Sequence, residues 1–164
     1  MEIFQIIVFL ATFLCSLVAG FLFAFAIVVM PGIRNLNDRD FIRAFQVMDR
    51  VIQNNQPIFV LVWVGSVAAL VASLVLGIWQ LDGTGRLLII FAAAAYLLGV
   101  QLPTFAVNIP LNNKLQALDI DAVNAAVEKT ARQEFEARWN LWNAIRTAFA
   151  CLTSALLILL LSRF

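Results

Sequence analysis

The chain has 164 residues, 63% of them hydrophobic and 13% charged, with a net charge of +1 and a mean hydropathy of +0.93. A soluble domain carries roughly 25% charged and 45–50% apolar residues, so a water-soluble globule is excluded, and the near-neutral balance gives no footing for nucleic acid or a polybasic lipid anchor. There is no histidine, which removes the usual ligand of haem iron, of histidine–carboxylate di-iron centres and of copper; no metal site and no cofactor is expected.

The apolar residues gather in four blocks, Ile3–Met30, Pro57–Trp79, Leu87–Val107 and Leu141–Leu161. Each reaches the ~20 residues that cross a ~30 Å hydrocarbon core. The expected fold class is all-α integral membrane: a single transmembrane domain over residues 1–164, a four-transmembrane-helix bundle with spans at about 3–30, 57–79, 87–107 and 141–161. The first block opens Met-Glu without a basic region, and Met30-Pro31-Gly32 is a poor cleavage site, so it reads as a span and not as a cleaved signal. Beyond Glu2 the spans carry no acid, which argues against ion pumping. Cys15 and Cys151 fall within spans in no metal-like spacing and read as packing residues.

The first connection, DRDFIRAFQVMDRVIQ from Asp38, places Phe41, Phe45, Met48 and Ile52 on one helical face. Asn37 or Asp38 is its natural N-cap. Only Pro57 interrupts the run from this helix into the second span, and proline in a membrane helix more often kinks it than ends it, so one helix over about 38–80 is expected. The short loop Leu81–Gly85 is a turn. From Asp119 the face Ile120, Val123, Val127, Ala131, Phe135, Trp139 and Trp142 runs into the last span, predicting a helix over 119–161. Each would be roughly 60 Å long at 1.5 Å per residue. The amphipathic extensions, about 38–56 and 119–140, carry most of the eleven basic residues. The positive-inside rule puts both long connections in the cytoplasm and both termini outside, in the plasma (inner) membrane.

The chain also repeats itself. Gly20, Pro31 and Leu36 share their spacing with Gly99, Pro110 and Leu115, and Arg50 and Asn55 share theirs with Arg138 and Asn143. A tandem repeat of helix pairs would be related by an axis along the membrane normal, with a site between the halves.

The stretch RWNLWNAIR puts Trp139, Trp142, Asn143 and Arg146 at i, i+3, i+4 and i+7, one stripe of a helix. Asn108, Asn112 and Asn113 around Pro110, and Asn54, Asn55 and Gln56 before Pro57, fall at the same level, with Gln101 deeper. Arg146 is the costly member. An arginine at the bilayer centre costs ~2.5–3.5 kcal/mol on insertion scales, and no span offers it an acid. Two readings are open: the amides and tryptophans knit the helices together, or they line a cavity in which an anionic group supplies the missing counter-charge.

Asn108-Ile109-Pro110-Leu111-Asn112, then a long helix and Trp139-x2-Trp142-Asn143-x2-Arg146, resembles a four-span family of unknown function that includes the fungal anthrone oxygenases. The segment from Gly20 to Pro31 is similar too, so the resemblance covers nearly the whole chain. It implies oxidation of a polycyclic anthrone by molecular oxygen, without metal or flavin. In that reading Arg146, Asn108 and Asn143 are catalytic, Arg146 stabilising an oxyanion with the asparagines, Asn112 included, as donors. Trp139, Trp142, Asn112, Asn55 and Gln101 line the substrate site, the tryptophans stacking on the rings. No general base is evident, which leaves an amide-held water or self-ionisation of the substrate. The alternative is a non-catalytic membrane protein that binds a lipid or quinone-like ligand or serves as a partner subunit. Membrane lipid and a hydrophobic small molecule are the expected partners, and a homo-oligomer is compatible with the sequence.

Overall fold

Each uninterrupted apolar block of the chain becomes part of a long helix. The computed structural model describes residues 2–164, all-helical with no strand among the described residues. The helices are α1 (Ile3–Ile33), α2 (Asp38–Gln53), α3 (Pro57–Gln80), α4 (Gly83–Gln116) and α5 (Ala125–Leu161). All but α2 are long and apolar enough to cross a membrane. Large side chains such as Phe9, Phe13, Leu61 and Phe91 point outward on them; a surface of that kind needs lipid against it. The protein is an integral membrane protein.

Side-chain caps fix the helix starts. Asn37 Oδ1 accepts from Asp40 N–H at 2.9 Å, Asp82 Oδ1 from Gly85 N–H at 2.6 Å, and Asn124 Oδ1 from the N–H groups of Ala126 and Val127 at 3.1 Å. Each satisfies a donor that the first helical turn leaves free. The last helix therefore starts at Ala125 rather than at Asp119 and still runs 37 residues, with its apolar register unchanged.

The expected helix over 38–80 is broken. Asn54 ends α2, Asn55 takes a left-handed φ of 56°, and Gln56 is non-helical before Pro57 opens α3. Pro57 lacks the N–H of a continuing helix and drives the preceding residue out of the helical region. Asparagine is among the few residues that accept the left-handed turn, and Gln56 Oε1 then caps Phe59 N–H at 2.5 Å. The break frees α2 to pack on the end of α4 and the extended part of α5.

At the other prolines the helix continues instead. Wide i→i+5 turns occupy Phe25–Val29, Leu97–Gln101 and Thr104–Asn108, each ending two residues before Pro31, Pro103 or Pro110. The carbonyl four residues before each proline lies in the wide turn, where it escapes the pyrrolidine ring. The offset from Pro31 to Pro110 is 79 residues, and so is that from Phe25 to Thr104. The two halves thus repeat a backbone irregularity as well as a few residue types.

Packing is not repeated. α1 packs against α3 and α5, and α4 against α5. At Gly99 a Cβ would lie 2.2 Å from Cγ of Phe149, so only glycine allows this approach of α4 to α5, whereas its counterpart Gly20 has nothing within 4 Å. Two cores result. One, built on Val8, Cys15, Leu22, Leu70, Tyr96 and Leu157, fills the bundle between the spans. The other, Met30, Phe41, Ile42, Phe45, Leu115, Phe135 and Trp139, holds α2 over the end where α1 and α4 finish.

That capped end is tied by Arg132. Its guanidinium donates to the carbonyls of Arg34 (2.7 Å) and Leu36 (2.8 Å), to Asp38 Oδ1 (3.1 Å) and to Glu136 Oε2 (2.7 Å). It also lies 4.3 Å from the centroid of Phe41. One side chain of α5 therefore satisfies carbonyls left open where α1 ends and anchors the start of α2.

Candidate functional site

Between the two cores the helices leave a cavity of about 360 Å³, within the ~300–1,000 Å³ range of small-molecule sites. All five helices contribute to its wall. Phe21 and Phe25 come from α1, Phe45 and Asp49 from α2, Phe59 and Trp63 from α3, Thr104, Asn108 and Asn112 from α4, and Trp139, Asn143 and Arg146 from α5. The wall is mostly apolar, with seven aromatic residues among its nineteen, and contains one acid and one cation.

Arg146 is 5% exposed and makes no ion pair among the described residues. It donates through Nη1 to Thr104 Oγ1 at 3.0 Å and through Nη2 to Asn143 Oδ1 at 2.9 Å, and Nε has no partner. Its guanidinium carbon lies 5.8 Å from the centroid of the Trp139 ring. Asn143 Nδ2 donates to the Leu22 carbonyl at 3.2 Å, so this amide is occupied at both ends and holds the guanidinium fork rather than offering a free donor. The wide turn over Thr104–Asn108 presents both Thr104 and Asn108 to the cavity from α4.

Asn112 Oδ1 accepts from Trp139 Nε1 at 2.8 Å, and its Nδ2 donates to Asp49 Oδ1 at 2.7 Å. Asp49 Oδ2 accepts from Gln53 Nε2 at 2.7 Å and Gln116 Nε2 at 3.1 Å. Burial pushes the Asp49 carboxyl above the usual carboxylate range, and the bonds from Gln116, Gln53 and Asn112 only partly offset this. A continuous line of contacts thus runs along the wall from Asp49 through Asn112 and Trp139 to Arg146. Asn108 Nδ2 makes a long bond to the Trp139 carbonyl at 3.4 Å, while its Oδ1 is buried without a partner. The wall therefore keeps one unused donor, Arg146 Nε, and one unused acceptor, Asn108 Oδ1. Buried polar atoms are rarely left unpaired.

The residues singled out in the sequence divide accordingly. Asn55, Asn108, Asn112, Trp139, Asn143 and Arg146 share the cavity. Trp142 is half-buried on α5 and is not part of the wall. Gln101 lies behind it, its Oε1 accepting from Trp63 Nε1 at 3.1 Å and its Nε2 unpartnered. Sequence reasoning missed Asp49, Thr104 and Trp63. Asp49 had a signal: it stands four residues after Phe45 and eight after Phe41, on the apolar face of the amphipathic helix, where an acid is out of place.

Five wall residues are exposed on the outside of the bundle: Asn55 at the break between α2 and α3, and Val60, Val64, Phe105 and Ile109. The last four are apolar and lie on α3 or α4, which puts the open side of the cavity toward the lipid between these two spans, with Asn55 at its edge. A larger groove of about 900 Å³ runs between α4 and the extended part of α5. Lys114 and Glu134 pair in it at 2.5 Å, and none of the unpartnered polar atoms belongs to its lining. No group of three or more acids or cysteines among the described residues is placed to hold a metal ion.

The sequence model of the anthrone oxygenase family matches residues 45–156, more than half of the 164-residue chain. The matched region includes every polar wall residue named above. No curated protein and no solved structure matches the chain.

Proposed function

Because the chain belongs to the anthrone oxygenase family, we propose that the cavity binds a polycyclic phenolic ketone and oxidises it with molecular oxygen to the quinone. The observation that carries this reading is Arg146: a buried cation with no acidic partner and an unused donor, in the wall of an apolar cavity rich in aromatic residues. A cation in a low-dielectric site without counter-charge is costly for the fold. It becomes useful if a ligand brings the negative charge.

An anthrone can bring it. Loss of one proton from its central methylene gives an enolate with the charge on the ketone oxygen. Arg146 stabilises that oxyanion through the charge of its guanidinium, with Asn143 and Thr104 holding the fork in place, and this preorganised charge favours the form of the substrate that reacts with oxygen. Trp139, Trp63, Phe25, Phe45 and Phe59 bind the ring faces. Asn108 and Asn112 give the wall its polar side on α4, and Asn55 forms part of the rim. Trp142 and Gln101 act from outside, supporting α5 and Trp63. The electrons come from the substrate, since anthrone plus O₂ gives anthraquinone plus water. An apolar substrate already dissolved in the membrane enters sideways between α3 and α4. The basic residues of α2 and of the α5 extension favour a cytoplasmic position for the capped end in the plasma membrane.

Oxygen uptake by purified protein with 1,8-dihydroxyanthrone, against a matched detergent blank, tests the activity. A saturable, protein-dependent rate with one O₂ consumed per quinone is expected. Uptake equal to the blank, together with saturable anthraquinone binding, would make the protein a carrier and not an enzyme.

A further inference from the structure

Resting on the reading of the cavity as a substrate site, we infer that Asp49 is its proton acceptor, the group that takes the methylene proton from the bound ketone. The sequence offered no histidine and no acid in the spans for this step. The break at Asn55 supplies one by letting α2 fold over the end of the bundle, which brings an acid into the wall of a cavity otherwise set among the spans.

Asp49 is 4% exposed, and all three of its side-chain partners are amides. A carboxylate meant only to tie helices would be better served by a cation, and Arg50 is next to it in sequence. Held by neutral donors, Asp49 can gain a proton without breaking an ion pair. The groups facing it are Gln53 on its own helix and Asn112 and Gln116 on α4, none of which titrates. The only other charged group in the wall is Arg146 on α5. Before the transfer the negative charge is on Asp49, and after it on the ketone oxygen beside Arg146, so the step moves charge toward the cation and creates none in the cavity. A carboxyl raised above its ordinary range by burial is also the stronger base.

The sequence of steps balances. Asp49 takes one methylene proton and becomes a neutral acid. The carbanion form of the enolate gives its electron pair to O₂, forming a carbon–oxygen bond and a peroxide anion, which the Asp49 acid protonates. The regenerated carboxylate then removes the remaining proton from that carbon. Its electrons form the second carbonyl, the O–O bond breaks, and hydroxide leaves to become water with the proton returned by Asp49.

The proton step can be read without oxygen. In deuterated buffer under anoxia, exchange of the methylene protons of anthrone is followed by proton NMR, alongside quenching of tryptophan emission by anthraquinone as a measure of binding. Wild type should exchange faster than the blank. Asp49→Asn should retain anthraquinone binding and lose about 10²-fold or more of the protein-dependent exchange, and Asp49→Glu should recover part of it. In wild type the rate should rise with pH across a carboxyl titration above the ordinary range. Exchange by Asp49→Asn at the wild-type rate, a wild-type profile flat across that range, or wild type that exchanges no faster than the blank would each overturn the proposal. Should Asp49→Asn fail to fold, the wild-type pH profile decides alone. Exchange that depends on Asp49 without oxygen uptake in air would sink the oxygenase reading and leave Asp49 as a base. Oxygen uptake with exchange indifferent to Asp49 would do the reverse.

Discussion

The two halves of this bundle bury polar groups in opposite ways. Toward the turn between α3 and α4, the buried polar groups are mostly hydroxyls satisfied within their own helix. Thr12 donates to the Val8 carbonyl at 2.8 Å, Ser73 to that of Ala69 at 2.8 Å and Thr153 to that of Phe149 at 2.9 Å. Each shares a carbonyl already used by its own helix, and of the three only Thr153 also reaches another helix, through a long contact of 3.4 Å to the Ala92 carbonyl on α4. Toward the capped end, the buried groups are amides, an acid and a guanidinium, each with at least one partner on another helix, and several of their atoms have none. This contrast shows where chemistry is to be found. A polar group satisfied locally is tolerated by a membrane helix without further purpose, whereas one that requires several helices and still leaves valences open is poor glue.

Two stability measurements probe the contrast. Arg132→Ala should have the larger effect. It removes a charged donor shared by two carbonyls and two carboxylates, and bonds of this kind contribute about 1.5–3 kcal/mol each. Release of α2 should show as faster proteolysis between α1 and α3 and a lower melting temperature. Arg132→Lys should not restore either, because a single ammonium lacks the planar fork that spans these acceptors. Thr12→Val should have the smallest effect, under about 0.6 kcal/mol, the average of hydrogen bonds inside membrane bundles, with no change in any activity. A Thr12→Val melting temperature as low as that of Arg132→Ala would erase the distinction between the halves.

Much of the fold was legible because length and hydropathy alone define a span, and Asn37 marks the start of α2. The start of α5 reads from the sequence as Asp119, six residues early, because its apolar register runs back through Ile120 and Val123 past the Asn124 cap. The helix break at Asn55 was not legible: X-Pro either kinks or ends a helix depending on what the freed segment can pack against. At Pro31, Pro103 and Pro110 the helix continues past the proline, each time just after a wide turn. Pro57 has an amphipathic segment before it that buries Phe41 and Phe45 better by folding over. The same choice hid Asp49. On a helix collinear with α3 it would lie far from the bundle, so the sequence suggested no base. The asparagines were found by type and depth, but whether each was free or committed depended on partners up to 121 residues away, as for Asn143 and Leu22. Trp142 shares its stripe with Trp139 and Arg146, yet a stripe is wider than a cavity wall.

Whether the polar cluster at the capped end exists for a ligand, and not for the fold, is decided by Arg146→Met. Thermal unfolding and oxygen uptake with 1,8-dihydroxyanthrone are to be measured on the same preparation. Methionine fills similar volume without charge, and exchanging buried charge for well-packed apolar side chains is often neutral or stabilising by about 1–4 kcal/mol. The loss of an oxyanion donor costs about 10²–10³-fold in rate. A cluster built for a ligand requires an unchanged or raised melting temperature together with that loss of protein-dependent uptake. A lowered melting temperature, or full uptake by the variant, would contradict it.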